Sequence, residues 1–188
     1  MEIDKTLYVT NRREWRAWLR KHSKSEKAIW LIYYKKDSGK PRIPYNDAVE
    51  EAICFGWIDS TIKKIDEERF TQRYSKRNPR SPYSQANTER LRAMIKKGKV
   101  AKEVLATIGD IAEEKFKVPP DILKAIKANK DAWKYFQFFS PSYIRIRVGF
   151  IDRSRNRMDF FKKRLDYFIR MTARNKKFGY GGIEKYYK

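Results

Sequence analysis

The chain carries one cysteine, Cys54, and one histidine, His22. A lone cysteine excludes an intrachain disulfide, and a lone histidine leaves no ligand set of the zinc type, so neither a metal nor another cofactor is expected. Long apolar runs are missing as well. The longest, AIWLIYY from Ala28 to Tyr34, falls far short of the roughly 20 residues that span a bilayer, and no transmembrane segment is expected. Glu2 and Asp4 stand where a secretory leader needs a basic and then an apolar stretch, so the expected location is the cytoplasm. No glycine-rich phosphate loop, paired-carboxylate motif or Ser-His-Asp set is recognisable, and no residue is assigned a catalytic role. The GYGG at 179–182 follows no strand and precedes no helix, which makes it tail.

Acids are scarce relative to bases: 23 Asp and Glu against 45 Lys and Arg, a net charge of +22 and a pI near 10. Such an excess favours contact with a polyanion, nucleic acid above all, through phosphate neutralisation and counterion release. The competing reading is a lysine-rich surface that serves solubility. With 188 residues, 41% of them hydrophobic, the chain is long enough for a core, and the 36% charged fraction does not imply disorder.

The first half alternates strand-like and helix-like patterns. Thr6 to Thr10 is β-prone, and Asn11 caps a helix in RREWRAWLRKH that places Trp15, Trp18 and Leu19 on one face. AIWLIYYKK reads as a buried strand. A second helix, YNDAVEEAICF, turns Val49, Ala52 and Ile53 inward and stops at Gly56. From about Ser84 the chain reads as helical: QANTERLRAMIKK capped by Ser84 and ended by Gly98, a stretch from Ala101 to Glu114, and DILKAIKAN with DAWKYFQFF continuing after it. SPSYIRIRVGFIDR alternates like a strand, yet Ser140-Pro141 is a helix start and Ile144, Val148 and Ile151 keep helical spacing; helix is preferred. RMDFFKKRLDYFIRM places Met158, Phe161, Leu165, Phe168 and Ile169 on one side. The expected class is α+β: a small antiparallel sheet with flanking helices over residues 1–83, a helical portion over 84–175 packed on it as one unit, and a loosely held tail over 176–188.

WIDSTIKKI and RFTQRYS, joined by a short polar stretch, predict a hairpin. With Lys64 to Glu68 as the loop, Ile62 meets Phe70, Ile58 meets Tyr74 and Asp59 lies across from Arg73, so the apolar rows of both strands coincide.

Three places could carry chemistry. Cys54 ends a helix, where the dipole and the nearby Glu50 and Glu51 disfavour a thiolate, so a structural cysteine is expected over a nucleophile. Trp57 and Asp59 share the less apolar face of their strand; with Arg73 they form either a structural ion pair or a polar patch under a cleft with Trp57 as a stacking platform. The strongest binding candidate is RFTQRYSKRNPRSPYSQAN, which between Arg69 and Arg80 holds five bases and no acid. There Arg69, Arg73, Arg77 and Arg80 would fix phosphates, Trp57 or Tyr83 would stack, and Ser84 and Asn87 stand at a helix start open to an anion. A second basic concentration, Ser142 to Lys177, holds twelve bases against three acids and reads as an exposed helical face.

EAICFGWIDS, the following RFTQRYSKRNPRSPYSQAN and a helix ending near KKGKV resemble the YdeI/OmpD-associated family, also labelled bacteriocin-protection proteins, with the likeness running from Trp15 and Trp18 through SPSYIRIRVGFIDR. Three departures stand out: Tyr83 occupies the usual place of a tryptophan, Ser60 that of a glycine, and the basic arm is richer than the family pattern leads one to expect. The resemblance implies a distant relation to the YjbR/CyaY-like α+β fold and, by the family's labels, a role in envelope stress or bacteriocin protection with no reaction established; a related group has been discussed as DNA-binding. Three functions are therefore carried forward. The first is a non-enzymatic binding module for an anionic partner, nucleic acid or another phosphate-bearing ligand. The second is a small-ligand protein or enzyme with a cleft around Trp57, Asp59 and Arg73. The third is interaction with an unidentified protein partner.

Overall fold

In the computed structural model, which describes residues 2–109, 111, 116–179 and 183–186, four strands form one mixed sheet. They are β1 (Thr6–Tyr8), β2 (Ala28–Tyr34), β3 (Trp57–Lys64) and β4 (Arg69–Lys76), in the order β1-β2-β4-β3. β1 joins β2 in parallel, while the other two pairings are antiparallel. The fold is α+β. The chain separates into two units, Met1–Pro82 with Leu91–Gly109, and Tyr83–Arg90 with Asp110–Lys188.

In the first unit, α1 (Arg12–His22) begins at Asn11, whose side chain accepts hydrogen bonds from the backbone N–H of Arg13 and Glu14. Glu14 reaches back to the Thr10 N–H at 2.8 Å, and that bond above all holds its carboxyl below the usual range. α2 (Tyr45–Cys54) ends at Gly56, whose φ of +73° suits the residue lacking a Cβ. The two helices cover the sheet face that carries Ile29, Leu31, Tyr33, Gln72 and Tyr74. Trp15 donates from Nε1 to the Ala48 carbonyl at 3.0 Å and meets Tyr74 edge-on at 5.5 Å. α4 (Lys102–Ile108) belongs to this unit; beyond it, positions 110 and 112–114 of the predicted helix lie outside the described residues.

The hairpin forms, but in another register. Ile58 pairs with Ser75 and Asp59 with Tyr74; after an irregularity, Ile62 pairs with Gln72 and Lys63 with Thr71. The cause lies at the tip. Asp66 Oδ1 accepts from the N–H groups of Glu68 and Arg69, and the Ile65 and Asp66 N–H groups both donate to the Arg69 carbonyl. This Asx-type turn pairs Ile65 with Arg69 and leaves residues 66–68 at the tip, two fewer than the predicted loop of 64–68; a bulge at Ser60 and Thr61 takes back one of the two, so the strands beyond it pair one residue out of the predicted register. Trp57 therefore turns into the core, and Ile62, predicted inward, is 61% exposed.

α3 (Gln85–Lys96) contributes its start to the second unit and its remainder, with buried Leu91 and Met94, to the first. The second unit further holds α5 (Pro120–Ala128), α6 (Lys130–Phe136), α7 (Pro141–Asp152) and α8 (Met158–Ala173). α5 and α6 are separate because Asn129 starts a new helix, its side chain accepting from the Ala132 N–H. Ser140 caps α7 through the Tyr143 N–H, so the helical reading of SPSYIRIRVGFIDR holds. Ile122, Ile126, Phe136, Tyr143, Phe161 and Phe168 anchor this unit's core, each contributing about 1.5–3 kcal/mol by burial. Met158, predicted inward, is exposed at the mouth of α8. Within the tail, Phe178 is held: its N–H donates to the Tyr143 hydroxyl, and its ring packs on Tyr167 and Phe168. Among the described residues no helix is long and apolar enough to cross a membrane.

Candidate functional site

Cys54 is fully buried at the last position of α2. Burial pushes its thiol up to about 12, and Glu51 adds to the shift. A thiolate is thus suppressed at neutral pH, as the helix-end position predicts.

Trp57, Asp59 and Arg73 do not converge. The Trp57 ring has no exposed surface; it meets Trp18 edge-on at 5.6 Å and donates from Nε1 to the Ser23 carbonyl at 3.2 Å. Asp59 accepts from the Tyr45 hydroxyl and from Gln72 Nε2, both at 2.9 Å. Because Asp59 pairs with Tyr74, it shares that residue's face of the sheet, and Arg73 falls on the opposite face across from Trp30. The predicted Asp59–Arg73 ion pair is replaced by the Tyr45 and Gln72 hydrogen bonds. Arg73 instead lies close enough to Asp4 to help lower its carboxyl, after the larger effects of the Lys5 N–H and the Trp30 indole.

The basic segment is divided between structural and exposed roles. Arg69 is bound by Asp66, with Nε and Nη2 at 2.7 and 2.6 Å. Lys76 donates to the Lys24 carbonyl at 2.7 Å, and the half-buried Arg77 donates its backbone N–H to the Gly56 carbonyl at 2.9 Å. Arg80 is exposed in a turn closed by its N–H on Asn78 Oδ1. Tyr83, Ser84 and Asn87 belong to the second unit. There Ser84 accepts from the Asn87 N–H at 3.3 Å, as a helix cap should, and Asn87 Oδ1 accepts from Arg90 at 2.7 Å.

Two features are not assigned by the sequence pattern. Along α1, Arg12 and Arg16 run beside a cleft whose carboxylates, Asp47 and Glu51, they already bind. Between α7 and α8 lies a cavity of about 690 Å³ in which cations alternate with aromatic rings and, among the described residues, Asp166 is the one acid. Its signal is legible in retrospect: Phe160, Lys163, Tyr167 and Arg170 recur at steps of three and four, the period of one helical stripe.

Two family descriptions match the chain. One, "Domain of unknown function (DUF8412)", matches residues 7–107, just over half of it. The other, "Bacteriocin-protection, YdeI or OmpD-Associated", matches residues 115–175. The family expected from the sequence is thus found, but over the helical stretch that begins before α5. The ICFGWIDS box and the basic segment fall within the first match. No curated protein and no solved structure gives a match, and the relation to the YjbR/CyaY-like fold gains no support. The chain belongs to the family of the DUF8412 domain, and it continues into a segment that matches the bacteriocin-protection, YdeI or OmpD-associated description.

Proposed function

We propose that the protein is a non-enzymatic binding module for an anionic partner, nucleic acid ahead of other polyanions. The observation that carries this is charge left over. Were each of the 23 acids to neutralise one base, 22 of the 45 bases would still have no acid of their own. Several acids are also committed inside the fold, such as Glu51 to Arg16 and Glu89 to Arg145. At the end of β4 an acid-free run presents Lys76, Arg77 and Arg80, and the charged surface of the second unit adds to it. Cations of this kind bind phosphate by releasing counterions. The test is anisotropy titration of labelled DNA and RNA, single- and double-stranded, across a salt series. Log K should fall linearly with log salt, by about 0.7 per neutralised phosphate on single strands and about 0.9 on duplex. Absence of binding at low salt rejects the reading.

The match of residues 115–175 to the bacteriocin-protection description favours a second reading, contact with a protein partner in envelope stress. Native pull-down in high salt, where electrostatic capture is screened, would recover such a partner; recovery of nucleic acid alone argues against it.

A further inference from the structure

The stripe on α8 has a chemistry that the overall charge does not explain. Phe160 and Tyr167 are 37% and 40% exposed, seven residues and so about 10 Å apart along the helix, with exposed Lys163 between them and Arg170 beyond. The inward side of α8 is already satisfied, since Phe161 and Phe168 are buried in the core of the unit. The two rings are thus held at the surface by helix geometry, and the Arg157 guanidinium lies 3.6 Å from the centre of the Phe160 ring, leaving that ring its other face.

Across the cavity stand Arg147 and Phe150 of α7 and Phe178 of the following segment. The Arg164 guanidinium lies 3.8 Å from the centre of the Phe150 ring and donates to the Phe150 carbonyl at 3.1 Å. Tyr167 is fixed edge-on against Phe178 at 4.8 Å, with the Arg170 guanidinium 5.4 Å from its ring centre. Planar cations and rings are therefore preset next to one another. A guanidinium stacked on a ring still offers its other face to a base.

We propose that this α7/α8 cavity binds single-stranded nucleic acid, with Lys163 and Arg170 taking phosphates and Phe160 and Tyr167 receiving bases. The proposal rests on the polyanion reading above and adds to it a site and a strand state. Base faces are open in a single strand and hidden in a duplex, so exposed rings between cations favour the former. A membrane-surface helix would bury a continuous apolar strip, whereas α8 turns its apolar strip to the core and exposes Met158, Phe160 and Tyr167 interrupted by charged side chains. The cleft beside α1 lacks this combination: no aromatic ring lines it among the described residues, and its two carboxylates, Asp47 and Glu51, already bind Arg12 and Arg16.

The experiment titrates the whole chain and its variants with oligo-dT, oligo-rU, a duplex of equal length, and vesicles containing phosphatidylglycerol. Wild type should prefer the single strands. Tyr167→Ala and Phe160→Ala should each weaken single-strand binding about tenfold and leave duplex binding unchanged. Lys163→Ala with Arg170→Ala should lower the single-strand salt slope by about 1.4, while Lys130→Ala, an exposed cation on α6, should not. Unchanged melting temperatures certify that each variant is folded. If wild type binds single strands and the stripe variants bind equally well, this site is wrong and the broader function stands. Equal losses on single strand and duplex overturn the stacking role, and equal effects from Lys130→Ala overturn the localisation. Binding to vesicles but not to oligonucleotides, lost in the same variants, makes the stripe a lipid surface. If wild type binds no nucleic acid at low salt, the polyanion reading fails with it.

Discussion

Glu51, which has no exposed side-chain surface, lies 2.6 Å from Nη1 of Arg16 on the neighbouring helix. Arg12 reaches its other oxygen at 3.3 Å and also bonds the buried Glu50. Two adjacent carboxylates of α2 are thus held by two arginines one turn apart on α1, and Arg16 Nη2 further ties in the Lys99 carbonyl at 2.7 Å.

The pairing is lopsided, and the imbalance makes a prediction. Arg16 keeps 23% of its side chain exposed, so it can rehydrate when Glu51 changes, whereas Glu51 cannot reach water when Arg16 goes. Arg16→Met should cost about 3–5 kcal/mol, because it leaves a buried charge with only the longer Arg12 contact. Glu51→Gln should cost about 1–2 kcal/mol, the worth of a weakened hydrogen bond. Urea unfolding of both variants decides it; equal losses would mean that burial does not set the energetics here.

Alkali should weaken the fold through three buried groups. Burial lifts the Cys54 thiol to about 12; it lifts Tyr33 to about 12 against a smaller opposing effect of the Tyr74 hydroxyl, and Tyr74 well above its ordinary range. In the unfolded chain these groups ionise near about 8.5 for Cys and about 10 for Tyr. Each is neutral when folded, so its stabilisation is complete below its unfolded value and is lost as pH rises towards the folded one. The melting temperature should hold steady at neutral pH, decline above about 8.5 and fall more steeply above about 10. Cys54 should react with a disulfide reagent only as fast as the chain opens. Rapid labelling of the native protein at neutral pH would contradict this account.

Gly149→Ala should destabilise the second unit although alanine favours helices. An alanine Cβ at this position would fall 2.7 Å from the Cβ of Gln85, closer than real Cβ contacts come. Gln85 Cβ is fixed to its own backbone and cannot swing away. Helix propensity returns about 1 kcal/mol and the forced displacement costs about 1–3, so a net loss is expected in thermal unfolding. A gain in melting temperature would show that α7 and the start of α3 are packed less tightly than this.

Local signals in the sequence are dependable where one side chain closes a helix or turn. Asn11, Gly56 and Ser140 mark boundaries that the structure keeps. Failures occur where a distant or offset partner decides. Alternation in WIDSTIKKI aims Ile58 and Ile62 at the core, but the Asp66 carboxylate shortens the tip and a bulge resets the register, leaving Trp57 under Trp18. Glu50 and Glu51 enter the sequence reading only as charges beside Cys54, because nothing nearby in sequence shows that Arg12 and Arg16 will cover them. Of the candidate site, the sequence shows which residues are basic or aromatic but not which are used up: Asp66 takes Arg69, and the core takes Trp57. Helical periodicity also hides the α8 stripe, since the inward residues Phe161 and Phe168 account for the pattern before Phe160 and Tyr167 are considered.

The strand order leaves β1 and β3 at the two margins of the sheet. β1 offers three residues, too few to template a long ladder. β3 is broken by its bulge and carries Lys63 and Lys64 in its final stretch, so a second chain docking there would meet a kinked backbone and like charge. Neither margin invites the edge-to-edge pairing from which fibrils grow, and crowding many copies together should not recruit this sheet into one.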